Sequence, residues 1–498
     1  MIARGSTIMI EAHSQYRGLF MGVARRLKAE FDAVIHLYCS NAQEVTYYQR
    51  LNQDNLFANI VDANILYPAL RETAPPFEQV VDQSRAYEAK LGMTINELAV
   101  SDRHLGRGFA LGGFGHPRSR MSEETDYRAM LHGFNSVIAF WEREIDGKAP
   151  ALLINPSKIA AVLARRRGVS IRVVATSRYK NYFYWAADEF FQNPAVHERY
   201  GAITKAELAE IALPYEDHLK WRAHFRSLMT FPAMLKDVMY LIARRAYWHL
   251  RGYEKAKGYY LSEEIRHAWR LWRDARDQVR SGVPLASLVG KPFVYFPLHM
   301  EPEASLQLLS PECFAQLAVI AALARDLPAG VFLAVKETAA AIGRRPADFY
   351  AQIREFKNVI MLDPFEFGLE VVKKADVVAT ITGTGGFEGA VLGKPVITFG
   401  RRNLYNFLPH VYQVDDMATL KPALNKALAA NFDRGLAHQN GSRFLAAVVA
   451  GSFDLTGFSS RQADVASEGA INAAFTALVE GLNAKTAQPD NPRSVAAI

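Results

Sequence analysis

The stretch Thr380-Ile-Thr-Gly-Thr-Gly-Gly-Phe-Glu388, followed by Gly393-Lys-Pro-Val396, decides how the second half of this 498-residue chain is read. The apolar run Asp376–Ile381 predicts a strand that ends at the glycines, and a short helix is expected to follow. Small residues let the backbone turn tightly, so the free N–H groups of that helix start face the end of a sheet. Such a start suits a phosphate. Gly383 and Gly385 allow close approach, while Thr382 and Thr384 add hydroxyl donors. Glu388 is expected in the first turn, where a carboxylate can take two ribose hydroxyls. The same residues also fit a plain Gly-rich turn whose acid complements the helix dipole. The turn lacks the Lys-Ser/Thr ending of a P-loop, which disfavours ATP hydrolysis, and no GxGxxG follows the first strand of the chain.

Working outward, short apolar runs alternate with amphipathic stretches, the pattern of a parallel α/β sheet. Strands are predicted at Phe293–Phe296, Val331–Val335, Val359–Leu362 and Val396–Phe399, with helices at Pro311–Arg325, Pro346–Phe356 and Glu366–Lys374. The first half begins in the same way. Thr7–Ile10 and Ala33–Tyr38 read as strands around the helix Leu19–Phe31, with further strands at Ala151–Ile154 and Ile171–Ala175 and helices at Phe77–Leu91 and Glu123–Ile145. Between Asp102 and Arg120 lies a Gly- and Arg-rich loop without period, of a length that is usually functional or disordered.

In open α/β sheets, ligands bind beyond the carboxyl ends of the strands. His299, Glu301, Glu303 and Ser305 follow the strand Phe293–Phe296, and Lys336 ends the strand Val331–Val335, placed to neutralise a phosphate or a sugar carboxylate. In the first half, Glu11, Asp102, Arg103 and Arg178 fall in corresponding loops. Each has a plainer reading as a cap, a solvated lysine or a surface ion pair. The histidines lack metal-ligand spacing and no DxD triplet occurs, so no metal site is expected.

Two cysteines among 498 residues exclude a disulfide framework, and no long apolar run suggests a membrane span or a signal peptide. The formal net charge is +7, and between His218 and Gly258 nine basic residues face only Asp237 and Glu254, which alone gives +7. With Trp221, Phe225, Tyr240, Tyr247 and Trp248 interleaved, this segment fits either an anionic membrane surface or an interdomain helical layer.

The stretches FVYFPLHMEPEAS, FLAVKE, NVIMLDP and TITGTGGFEGAVLGKPVITFG, in this order over roughly residues 291–401, resemble the capsule polysaccharide biosynthesis proteins, a group that includes bacterial capsule Kdo transferases. Asp102-Arg103 and Ser177-Arg-Tyr179 extend the resemblance more loosely. It implies a GT-B glycosyltransferase: two Rossmann-like domains facing a cleft, with a helical insertion between them. The expected boundaries are 1–200 for the acceptor domain, 201–285 for a basic connector and 286–430 for the nucleotide-sugar domain. C-terminal helices at 431–484 and a disordered tail at 485–498 complete the chain.

The reaction implied is metal-independent transfer of Kdo, or another acidic ulosonic sugar, from a nucleotide sugar to a bacterial surface glycan or glycolipid. No cofactor is expected beyond that cosubstrate, no nucleic acid partner is expected, and the location is cytoplasmic, peripheral at the inner membrane. Asp102, Glu301 and Glu11 are the candidate catalytic carboxylates. His299, Ser305, Lys336, Thr382, Gly383, Thr384, Gly385 and Glu388 are the candidate nucleotide-sugar ligands, and Arg103 and Arg178 the candidate substrate ligands. Family members commonly carry His-Pro after the Lys-Glu pair, where Thr338-Ala339 stands here. That departure leaves the donor open between cytidine and uridine nucleotides. The TGTGG turn with Glu388 also resembles the nonhydrolysing UDP-sugar 2-epimerases, the alternative reading, and a noncatalytic carbohydrate-binding protein is the third.

Overall fold

The structure, a computed structural model, describes residues 2–102, 105, 120–207, 209, 211, 215–252, 260–301, 304–346, 348–455 and 464–483. Arg103, Glu303 and most of the Gly/Arg-rich loop, including His104, Arg107, His116 and Arg118, lie outside the described residues, as does the tail from 484 onward. The chain divides into two compact units. One comprises Met1–Met93, Leu131–Thr204 and Ala446–Ile498; the other comprises Thr94–Met130 and Lys205–Leu445.

In the first unit, β1 (Thr7–Glu11), β2 (Val34–Cys39), β3 (Asn59–Asp62), β4 (Leu152–Ile154) and β5 (Ser170–Thr176) are parallel, in the order β3-β2-β1-β4-β5. The antiparallel β6 (Tyr182–Ala186) and β13 (Phe453–Asp454) extend that edge. β1 and β4 are buried runs without alternation, as expected for strands covered on both faces. The helix Arg17–Phe31 and the C-terminal helix Glu468–Asn483 pack against each other, and Leu19, Leu27, Ala474 and Leu478 enter one core with Ile8, Ile10 and Leu37. The C-terminal helix therefore serves the N-terminal sheet.

In the second unit, β7 (Phe293–Pro297), β8 (Phe332–Lys336), β9 (Val359–Met361), β10 (Val377–Thr380), β11 (Val396–Thr398) and β12 (Val411–Gln413) form an all-parallel sheet. Its order is β12-β11-β10-β7-β8-β9. Counted from β7, this is the 3-2-1-4-5-6 arrangement of a Rossmann sheet, with the strand order reversing between β7 and β10. The first unit reverses in the same way between β1 and β4. Two Rossmann-like α/β units are thus present, as the sequence predicts.

Some local expectations need correction. The helix predicted over Glu123–Ile145 is two, Arg120–Glu124 and Tyr127–Lys148, interrupted where the Asp126 carboxylate accepts the Ala129 amide at 2.7 Å. Such Asx bonds compete with helix propagation. The helix after β10 begins at Thr384 with Gly383 as its cap, so Glu388 lies one turn in and not in the first turn. Segment Thr94–Met130, expected with the N-terminal half, groups by its contacts with the second unit. One tie is visible, the Gln307 side-chain amide donating to the Val100 carbonyl at 2.9 Å.

Candidate functional site

The best-built candidate lies at the carboxyl ends of β7, β8 and β10 in the second unit. β7 ends at Pro297, and two residues on, His299 is buried. Its backbone is clasped by Gln316: the His299 N–H donates to Gln316 Oε1 at 2.7 Å, and Gln316 Nε2 donates to the His299 carbonyl at 3.1 Å. So held, the imidazole reaches across the switch point, and its Nε2 accepts the Thr382 amide at 3.0 Å. The Gly383 amide donates to Thr380 Oγ1 at 2.9 Å. These two bonds fix the turn that opens the helix Thr384–Val391.

Gly386 is sterically required, and Gly383 and Gly385 are closely approached. A Cβ on Gly386 would come within 2.3 Å of the Tyr405 hydroxyl and 2.4 Å of Thr380 Cγ2. One on Gly383 would meet Thr380 Oγ1 at 2.9 Å and His299 Nε2 at 3.1 Å, and one on Gly385 would meet Pro297 at 3.2 Å. Thr384, the first helical residue, is exposed and Thr382 is buried. Ser305 lies on the short helix Ala304–Gln307, which follows β7 in the chain.

Two titratable groups, Lys336 and Glu388, belong to the same strand-end region. Lys336, the last residue of β8, donates to the Glu337 carbonyl at 3.2 Å and the Pro364 carbonyl at 3.4 Å. Burial lowers its pKa, against the pull of Glu337, Asp363, Glu366 and Glu388. Glu388 is pushed up to about 7 by burial, opposed by Lys336 and Lys373. Burial, with the Glu388 charge, also raises the pKa of the Tyr295 hydroxyl. Titratable groups perturbed in this way cluster at functional sites.

A second, fully buried network was not found from sequence. Arg345 donates to Glu337 through Nε at 2.8 Å and Nη2 at 2.9 Å, and to the His299 carbonyl at 2.5 Å. Its Nη1 lies 3.6 Å from Glu301. Tyr350 adds a bond to Glu337 at 2.9 Å, and Phe349 lies under the guanidinium at 4.9 Å. Glu301 also accepts from Gln316. An arginine following an apolar Ala-Ala-Ala-Ile-Gly run was the available signal, but no sequence spacing pairs it with Glu337.

In the first unit, Glu11 ends β1 and accepts the Ser157 amide at 2.7 Å, at the start of the helix Lys158–Arg166. Burial, only partly offset by that bond, pushes it up to about 7. Arg178 sits in the β5–β6 turn in the left-handed region, φ 65°, with its amide donating to Thr176. Asp102 accepts the Leu105 amide at 2.8 Å and belongs to the second unit. A separate cavity of about 550 Å³, lined by Leu285, Lys291, Phe293, Lys374 and Asp376, lies at the amino end of β7, away from the strand ends where such sheets bind ligands. Among the described residues, no group of three or more His, Cys, Asp or Glu could hold a metal ion.

Residues 209–415 match the family described as capsule polysaccharide biosynthesis protein, so the resemblance read from the sequence holds over that stretch. No curated protein matches the chain. Solved structures similar to it include KpsC of Thermosulfurimonas dismutans. Its β-Kdo 2,7 transferase is 13% identical over 69% of this chain and 89% of that one, with a TM-score of 0.31. The β-Kdo 2,4 transferase is 12% identical over 59% and 80%, with a TM-score of 0.30. A UDP-GlcNAc 2-epimerase from Neisseria meningitidis, bound to UDP-GlcNAc, is 8% identical over 89% and 99%, with a TM-score of 0.23.

Proposed function

We propose that this protein is a GT-B glycosyltransferase of capsule polysaccharide assembly, transferring Kdo or a related acidic ulosonic sugar from a nucleotide sugar to a glycan or glycolipid. The observation that carries the reading is the latched turn at the β7/β10 switch point: a helix start held by His299, with Lys336 at the end of the neighbouring strand and Glu388 one turn into the helix. In this proposal the donor phosphates lie on the amides of Thr384 and Gly385 and the Thr384 hydroxyl, where the helix dipole favours negative charge. Lys336 offsets phosphate charge and Glu388 takes the ribose. His299 positions the turn.

Glycosyl transfer builds positive charge at the anomeric carbon while a phosphate departs. The turn and Lys336 would stabilise the leaving phosphate, so this chain supplies that chemistry from its own groups. A base is still needed to take the acceptor hydroxyl proton. Asp102 stays the first candidate and Glu11 the second, the latter because a carboxyl near pH 7 can exchange protons at neutral pH. Glu301 is better explained as a buried partner of Arg345 and Gln316. Arg178 and Arg103 are proposed to meet the acidic sugar or acceptor.

The deciding experiment incubates the full chain with CMP- and UDP-linked sugars, with and without glycan acceptor. Turnover that requires acceptor is expected. Conversion of a free UDP-sugar alone would replace this reading with the epimerase one, and binding without turnover would leave a carbohydrate-binding protein.

A further inference from the structure

The helix Phe231–Leu250 buries Met234 and Leu241 and packs on the helix Leu261–Ser281. Four of its other apolar residues stay exposed, although Phe231 also meets Trp272 of that helix edge-on at 5.4 Å. Phe231, Leu235, Met239 and Ile242 follow one another at spacings of four, four and three, which sets them on one helical face. All four are exposed, Met239 to 61%, and Leu250 at the end of the helix reaches 83%. Tyr240 and Tyr247 flank this stripe, each over half exposed and each with an arginine above its ring, Arg244 at 5.4 Å and Arg251 at 5.7 Å. A contiguous exposed apolar stripe on a single helix marks an interaction surface.

Charge identifies the occupant. Residues 219–252 carry seven basic side chains, Lys220, Arg222, Arg226, Lys236, Arg244, Arg245 and Arg251, against Asp237 alone. Arg244 and Arg245 are held by Glu264 at 2.9 and 3.2 Å, so they serve the fold. Lys236 and Arg251 are exposed beside the stripe. No helix among the described residues is long and apolar enough to cross a membrane. An apolar stripe bordered by cations, with tyrosines at its margin, matches a helix lying in the interface of an anionic bilayer.

We propose that Phe231–Leu250 is an interfacial helix that seats the protein on an anionic membrane surface, its Phe231–Leu235–Met239–Ile242 face entering the headgroup boundary. The proposal concerns a surface distinct from the β7/β10 turn, and it stands or falls independently of the donor sugar.

The test is flotation of the full chain with phosphatidylcholine vesicles, with and without phosphatidylglycerol, at low and high salt. Co-flotation with the anionic vesicles that falls with salt is expected. Lys236→Ala and Arg251→Ala should each lower partition about fivefold, and Met239→Glu should lower it by more than about tenfold. Melting temperatures should stay close to wild type because all three side chains are exposed. Should Met239→Glu prove unstable, the two alanine variants carry the test. Equal recovery in the supernatant with both vesicle types at low salt overturns the proposal. So does binding that ignores all three substitutions, or a lipid-free dimer that Met239→Glu dissolves, which would make the stripe a contact between copies of the chain.

Discussion

His299 and Thr382 are joined across the switch point of the second sheet: the Thr382 amide donates to His299 Nε2 at 3.0 Å. The first unit repeats the device with different chemistry, the Ser157 amide donating to Glu11 at 2.7 Å. In each, a side chain at or just past the end of the first strand captures an amide at or just before the start of the helix after the strand where the order reverses. The bond holds that helix start in place before any ligand arrives.

Loss of this latch should be measurable. His299→Ala leaves the Thr382 amide without its acceptor in a buried setting and should cost about 1–3 kcal/mol in urea unfolding. Nucleotide affinity should fall by a larger factor than the stability change alone predicts, because the turn loses its fixed geometry. Calorimetry with CMP and UDP on the full chain checks this, and unchanged affinity would remove His299 from the donor site.

Gly386→Ala tests the steric account of the turn. Its Cβ would collide with Tyr405 and Thr380 side chains, and overpacking of this kind costs about 1–3 kcal/mol. The double variant with Tyr405→Phe should recover part of the loss by removing the hydroxyl. A melting curve for Gly386→Ala at the wild-type temperature would contradict the close approach.

Breaking the buried ion network should be more damaging. Arg345→Ala strands Glu337, whose side chain is fully buried, and one-sided removal of a buried pair costs about 3–5 kcal/mol. Glu337→Ala should behave alike, and the two losses should be far from additive in a double-mutant cycle. Additive losses would show that the pair does not act as a unit.

The raised pKa of Glu388 gives stability a pH dependence of known sign. An unfolded Glu titrates near about 4.3, while this one is held near about 7 by burial. Protonation therefore favours the folded form. Its contribution is fully present below about pH 4.3 and is lost as pH rises through about 7. Glu388→Gln should flatten the stability profile over that window by on the order of 1–3 kcal/mol. Retention of the wild-type slope would place the titration elsewhere.

Asp102→Asn and Glu11→Gln separate the candidate bases. The true base should lose about 100-fold or more in kcat. Full turnover in either variant strikes that residue from the list.

Much of this was legible in the sequence. Short apolar runs such as Val294–Phe296 and Val377–Ala379, bounded by turn residues, read as strands covered on both faces, and the glycines of 383–386 announce a tight turn before a helix. Local propensity and period fix those features residue by residue. The edge strands β3, β12 and β13, and β6 beside β13, were not seen, because they are short and become strands only by pairing with a neighbour already in place. Nor could periodicity place Asp102 with the second unit, since that depends on contacts between segments about two hundred residues apart, such as Gln307 with Val100. The same holds for the chemistry. Sequence singled out His299, Lys336 and Glu388 by their positions at strand and helix ends. That His299 accepts an amide, that Arg345 joins Glu301 to Glu337, and that Glu388 titrates near neutrality follow from burial and distance, which only the packed tertiary structure sets.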